Sequence, residues 1–418
     1  MNPSAANPQD TLSAMGTTMP GQNQPCQLAT FLITQSNFHY VEGLSYYMRH
    51  CEGFGPTSVV TGMGIAAGNF GLCCGTRQLT CRPFPRLGGR TPEVVVRAMQ
   101  IVELTGPASM RLGTVADPVR GDGQILIDVH AAGVAFPDLL LTRGLYQLRP
   151  DPPFIPGSEV AGEVIEVGPG SRFEVGDRVA ALCLLNGFAE QVSVPEDVVV
   201  ALPPKMSFES GAALPMNYLT VEFALTTRGR LAEGESVLVH GAAGGVGTAA
   251  IQFAKLTGNR VIAVVSSARK GEVARRSGAH EVVLADGFLA AVKDLTGGRG
   301  VDIVVDPVGG DRFTDSLRSL APFGRLLVLG FTAGQIPTVK VNRLLLSNTE
   351  VVGVSWGSYA LANPPSIRAQ WDRMAEALAD GRLDPPLGAQ YPLESAATAL
   401  LELEARRATG KTILQVRP

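Results

Sequence analysis

The run Val237-Leu238-Val239-His240-Gly241-Ala242-Ala243-Gly244-Gly245-Val246-Gly247-Thr248-Ala249-Ala250-Ile251-Gln252-Phe253-Ala254-Lys255 decides how this chain is read. An apolar strand pattern feeds a glycine turn, and from about Val246 apolar residues recur at helical spacing. A strand that turns on glycine into a helix is the setting in which such a motif points to a dinucleotide. Gly244 and Gly245 let the backbone approach a pyrophosphate, and Gly247 lets helix and strand pack closely. The first N–H groups and the positive dipole end of the helix then face the phosphate charge. The spacing is A-x-G-x-x-G, with Ala242 at the usual first glycine. Taken alone, the same glycines would serve a tight structural turn.

The surroundings favour the coenzyme. Strands are expected over 236–240, 260–265, 281–284, 302–306, 325–330 and 350–354, with helices over 246–257, 270–277, 289–296 and 314–321 between most of them. Strands alternating with helices indicate an α/β fold whose parallel sheet is covered on both faces. Upstream, short strands over 94–104, 124–131, 159–167, 178–181 and 189–194 read as a β-rich domain of the small-barrel kind, and a helix over 208–227 joins the two regions. Amphipathic helices over 367–379 and 393–406 and a strand over 412–416 close the chain. The identity of the dinucleotide follows from the strand after the glycine turn. An NAD site asks for Asp or Glu at its end, to grip the ribose 2′-hydroxyl. Here Val261–Val265 is followed by Ser266-Ser267-Ala268-Arg269-Lys270, with two cations and no acid. A 2′-phosphate brings negative charge that needs cations and donors, which points to NADPH. A solvated helix start is the other use of these residues.

The 418 residues fit two or three domains, and 45% hydrophobic with 17% charged residues exclude wholesale disorder. Lys and Arg number 35 against 38 Asp and Glu, so the net charge of −3 offers nucleic acid no general attraction. The six cysteines do not form a disulfide framework, and the five in the first 81 residues lack the two close pairs of a zinc site. Reduced thiols in a cytoplasmic protein are the expectation. Residues 1–92 show no sustained period of strand or helix. The uncharged stretch 53–75 is broken by seven glycines and lacks a basic flank, so it fits an exported or membrane-inserted segment poorly. Residues 1–95 are expected to be a disordered extension or an over-long gene start, with a natural start near Val96.

Beyond that segment, residues 96–418 resemble the zinc-independent quinone oxidoreductases of the medium-chain dehydrogenase/reductase superfamily. The resemblance rests on Gly133-Val134-Ala135-Phe136-Pro137-Asp138, Arg143-Gly144-Leu145-Tyr146, Pro156-Gly157-Ser158-Glu159-Val160-Ala161-Gly162, Gly176-Asp177-Arg178-Val179 and the run 241–255. It implies a GroES-like catalytic domain (96–218, completed by 356–418) and a Rossmann coenzyme domain (219–355), with the active site in the cleft between them. It also implies a homodimer formed through the last Rossmann strand, 350–354. Zinc-dependent relatives hold catalytic metal through a Cys and a His on two of these motifs. Those positions carry Ala135 and Ser158 here, and Cys183 stands alone where a structural zinc lobe would need four cysteines.

The implied chemistry is hydride transfer from NADPH, without a Lewis acid, to a quinone, an enone or an enoyl thioester. Tyr146 matches the cleft tyrosine that contacts substrate and hydrogen-bonds its carbonyl, and Phe136 walls the pocket; each also fits as a packing aromatic. Asn217 and Thr220 match residues near the nicotinamide and its ribose, or else serve the hydrogen bonding of a helix start. Phe331 falls where backbone groups bind the carboxamide, Arg407 where an arginine meets the adenosine phosphate, and Ser266 and Lys270 at the 2′-phosphate. The family often has Asn where Ala135 stands, and its tyrosine near that phosphate falls near Ala285. A non-catalytic NADPH-binding regulatory or stress protein on the same fold is the other reading. His130, His240 and His280 have no carboxylate at triad spacing and read as structural.

Overall fold

The computed structural model describes residues 95–417. The irregular extension, the early cysteines and the start near Val96 concern residues that lie largely outside the described ones. Strands run as β1 (Val95–Ile101), β2 (Met110–Ala116), β3 (Gln124–Gly133), β4 (Glu159–Glu166), β5 (Arg178–Leu182), β6 (Gln191–Pro195) and β7 (Val199–Ala201). They continue as β8 (Ser236–Val239), β9 (Arg260–Val265), β10 (Glu281–Leu284), β11 (Val301–Asp306), β12 (Leu320–Val328), β13 (Glu350–Gly353), β14 (Leu387–Pro392) and β15 (Lys411–Gln415). The helices that matter below are α1 (Phe136–Leu141), α2 (Phe208–Gly211), α3 (Pro215–Glu222), α4 (Gly245–Leu256), α5 (Ala268–Arg276), α6 (Asn342–Ser347) and α7 (Ala396–Glu404).

β10-β9-β8-β11-β12-β13 form one all-parallel sheet, while β14-β15-β3-β4-β5-β7 form a second, mostly antiparallel one, with β6 on β3. Every residue of β8 is buried, as a central parallel strand with helices on both faces requires. In β3, by contrast, Asp128 and His130 are part-exposed between buried Ile127, Val129 and Ala131, so the strand alternates in its middle and is buried through Ala131–Gly133 at its end. This is the GroES-like plus Rossmann α/β architecture that the resemblance implied. β15 joins β3 antiparallel, so the chain's last strand is built into the β-rich sheet.

The expected 260–265 and 281–284 strands match to the residue. The single helix over 208–227 is instead three pieces: α2, then α3 opening on Pro215, then a π-helical stretch Phe223–Arg228. Proline lacks an N–H and is favoured in a helix's first turn, so the chain restarts there. That restart leaves the Met216 N–H without a partner in its own helix, and Glu159 Oε2 accepts it at 2.8 Å. Leu214, Tyr218, Leu219 and Val221 share one buried cluster with Ala131 and Ala161 of the β-rich sheet, with Val237 and Val239 of the parallel one, and with Ile251 of α4. Helix α3 is therefore packed into the core common to both sheets.

Candidate active site

The glycine turn leaves β8 at Gly241, whose φ of 60° lies in the left-handed region that glycine enters without strain. A Cβ on Gly247 would collide with the Gly241 carbonyl oxygen and the Ala242 backbone, so the helix approaches its strand as closely as glycine allows. A Cβ on Gly245 would run into the Asn217 side-chain amide, which places buried Asn217 directly against the turn. At Gly244 a Cβ would meet only the Gly241 carbonyl, at 3.4 Å, leaving its outer side open. Gly244 is the N-cap of α4, no side chain caps that end, and the first turn holds no acid. The first-turn N–H groups at Gly245, Val246 and Gly247 lack intrahelical acceptors by helix geometry and are available to an anion. Thr220, one turn along α3, donates its hydroxyl to the Met216 carbonyl at 2.5 Å, so its own helix occupies it.

Beyond the end of β9 a cavity of about 510 Å³ is lined by Ser267, Arg269, Lys270, Tyr391, Arg406 and Arg407, among others. Lys270 Nζ donates to the Arg406 carbonyl at 2.8 Å. Burial, with Arg269 and Arg406 adding to it, lowers the Lys270 pKa. Those are the surroundings of a cation gathered with other cations, which an anion would relieve. Arg407 faces the same cavity with its guanidinium paired to Glu402 at 2.7 Å. Ser266 is exposed beyond the strand end, and it is Ser267 that lines the cavity and caps α5. The sequence counts Arg269 among the two cations after β9, but gives Ser267, Arg406 and Tyr391 no part in this cavity. Ser267 and Arg269 were within the quoted run, whereas Tyr391 and Arg406 come from the far end of the chain and carry no local signal.

The cavity and the glycine turn are physically joined. The Gly410 N–H donates to the Ala243 carbonyl at 2.7 Å, and Gly410 bridges Gly244 in parallel fashion. Loops at the ends of β11 and β12 flank the turn: Val308 lies beside Gly241, and Phe331 packs over Gly309. The coenzyme candidates other than the inward-bonded Thr220 are thus gathered along the carboxyl edge of the parallel sheet, where ligands of such sheets bind, with Ser266 exposed there outside the cavity.

On the other sheet, Phe136 opens α1 and Tyr146 follows it, both half-buried against the β-rich core with Phe154 and Leu185. Burial, and after it the charge of Asp138, raises the Tyr146 pKa, keeping the phenol a hydrogen-bond donor. Asp138 is fully buried; its carboxylate accepts from the Ser158 hydroxyl at 2.7 Å and the Ala135 N–H at 2.8 Å. Burial still pushes its pKa up to about 6 against those two bonds. Glu159 pairs with Lys411 in the same buried region, and the Cys183 thiol is pushed up by burial. Among the described residues no three His, Cys, Asp or Glu side chains are grouped to hold a metal ion. His240 shares a 2.9 Å hydrogen bond with the Ser316 hydroxyl, His280 accepts from the Val261 N–H, and His130 lies against Phe208.

Two family models match the chain: an alcohol dehydrogenase GroES-like domain over residues 121–204 and a zinc-binding dehydrogenase over residues 245–379. The quinone oxidoreductase-like protein 2 of Bos taurus is 39% identical over 298 residues, spanning 70% of this chain and 85% of that protein. A probable oxidoreductase from Mycobacterium abscessus is 41% identical with a TM-score of 0.71, covering 77% of this chain and 99% of that structure. The quinone oxidoreductase of Thermus thermophilus, solved also as its complex with NADPH, is 33% identical with a TM-score of 0.67, over 77% of this chain and 100% of that one. The chain belongs to the quinone oxidoreductase family of the medium-chain dehydrogenase/reductase superfamily.

Proposed function

We propose that the protein is an NADPH-dependent reductase that delivers hydride to quinones or α,β-unsaturated carbonyl compounds without a metal. The observation that carries this reading is the cavity of Lys270, Arg269, Arg406 and Arg407, tied through Gly410 to the uncapped helix start at Gly244, with no acid ending β9. The T. thermophilus relative's complex with NADPH supports the same choice of coenzyme. The pyrophosphate fits the open side of Gly244 and the first-turn N–H groups of α4, and the 2′-phosphate fits Lys270 with Arg269. When bound, the reduced nicotinamide supplies the hydride. Asn217, against Gly245, and Phe331, over Gly309, border the place where it would lie. Phe136 and Tyr146 form an apolar wall that excludes water, and the Tyr146 hydroxyl donates to the acceptor's carbonyl oxygen. A quinone or enone needs no Lewis acid, which suits a site with Ala135 and Ser158 at the metal-ligand positions of zinc-dependent relatives.

In this reading residues 96–218 with 356–418 form the catalytic domain and 219–355 the coenzyme domain. The enzyme works in the cytoplasm as a homodimer, joined along the outer edge of β13, beside which α6 exposes Leu345 and Leu346. No helix among the described residues is long and apolar enough to cross a membrane. Stopped-flow oxidation of NADPH with panels of quinones, enones and enoyl thioesters tests the proposal. Turnover with one class identifies the acceptor. Tight NADPH binding with no turnover in any panel would refute it in favour of a non-catalytic binder.

A further inference from the structure

We propose that Glu159 is a positioning residue for the coenzyme, anchoring the two segments that grip the glycine turn from opposite chain regions. The inference rests on the NADPH reading above. Glu159 and Lys411 are both buried, at 0% and 4% exposure, and form an ion pair. The second Glu159 oxygen accepts the Met216 N–H at 2.8 Å. The immediate chain neighbours of these two partners both touch the turn. Gly410, before Lys411, donates its N–H to the Ala243 carbonyl. Asn217, after Met216, stands against Gly245.

One carboxylate on β4 therefore fixes both arms of a bracket whose jaws close on Ala243 and Gly245. The local sequence makes room for it. A Cβ at Gly133 would collide with the Glu159 side chain and with the Ala212 carbonyl, so glycine there lets the carboxylate reach α3. Gly410 has a φ of 63° and no space for a Cβ beside the Pro386 carbonyl, so that arm too is held to one backbone path. Asp138 and Ser158 lie near the pair, joined to each other by their own hydrogen bond. A buried ion pair adds little stability over apolar side chains of similar size, and its retention here is explained by what it positions.

The test measures dissociation constants for NADPH and NADH by fluorescence titration on the full chain, with the acceptor KM alongside. Glu159→Gln is expected to weaken both coenzymes by about tenfold or more, the effect of losing a charge-assisted bond. The NADPH-to-NADH preference is expected to change less than either affinity, because Lys270 and Arg269 keep their place in the cavity, and the acceptor KM stays unchanged. Lys411→Arg, which keeps the charge, is expected to restore most of the affinity lost in Lys411→Met. The double variant Glu159→Met with Lys411→Met guards against a failure to fold, since an apolar pair can replace a buried ion pair. It is expected to melt no lower than Glu159→Gln and yet to bind both coenzymes weakly, because the Met216 N–H has lost its acceptor. Wild-type affinity in the folded double variant would overturn the inference. If the unaltered protein itself fails to bind NADPH, the functional reading fails first, and the two failures are distinguishable.

Discussion

Replacing Lys270 by alanine removes one positive charge from a cavity that gathers four. Of the three that remain, Arg407 is already paired to Glu402, and Arg406 takes part through its carbonyl, which Lys270 holds. Arg269 is left as the principal substitute. A charge-assisted hydrogen bond is worth about 1.5–3 kcal/mol. A direct Coulomb estimate at about 4 Å and an effective dielectric near 20 gives roughly 4 kcal/mol per charge pair, an upper limit for a half-exposed site. Taking about 2 kcal/mol, kcat/KM for NADPH should fall by roughly thirtyfold. NADH carries no 2′-phosphate and should lose less than about twofold, as for a surface substitution away from its contacts. Steady-state kinetics with both coenzymes at two ionic strengths reads the difference. The wild-type preference for NADPH should shrink as salt rises, and that of the variant should respond less. Equal losses for the two coenzymes would show that Lys270 does not meet the phosphate, and the assignment of this cavity would fall.

Gly247→Val should abolish binding of both coenzymes, because its side chain meets the Gly241 carbonyl and displaces α4; unchanged affinity in a folded variant, read by fluorescence titration, contradicts this. Tyr146→Phe should lower kcat by roughly three- to tenfold, the worth of one neutral hydrogen bond, with the NADPH KM unaltered; a rise in NADPH KM alone would move Tyr146 to the coenzyme. Asp138→Asn tests the burial of that carboxyl through stability. A pKa raised from 3.8 to about 6 means the folded state holds a proton that the unfolded state has lost, so wild-type stability falls as pH rises through that window. The variant lacks the penalty. Its melting temperature relative to wild type should climb between about pH 4 and 6 and level off above, by up to about 3 kcal/mol in stability for some two pH units. A difference independent of pH would show that Asp138 is charged throughout.

What was legible in the sequence is what short stretches of chain decide. The run 237–255 carries its strand, turn and helix within one βα unit, and Arg260–Val265 announces itself by an unbroken apolar run. The break at Pro215 is equally local, but the apolar spacing continues across it and hides it from periodicity. The assembled site is another matter. Lys270 meets the Arg406 carbonyl across 136 residues, and Lys411 meets Glu159 across 252. Neither partner announces the other. Arg406 is instructive: it has a φ of 56°, just past the end of α7, where glycine or asparagine is the expected residue. A bulky side chain held in that conformation costs energy. The turn it makes carries the chain back toward Gly410, and its carbonyl meets the Lys270 ammonium. Periodicity cannot express such a requirement, because the strain at Arg406 gains its meaning only from the cavity that β14, α5 and the last turn of the chain build together.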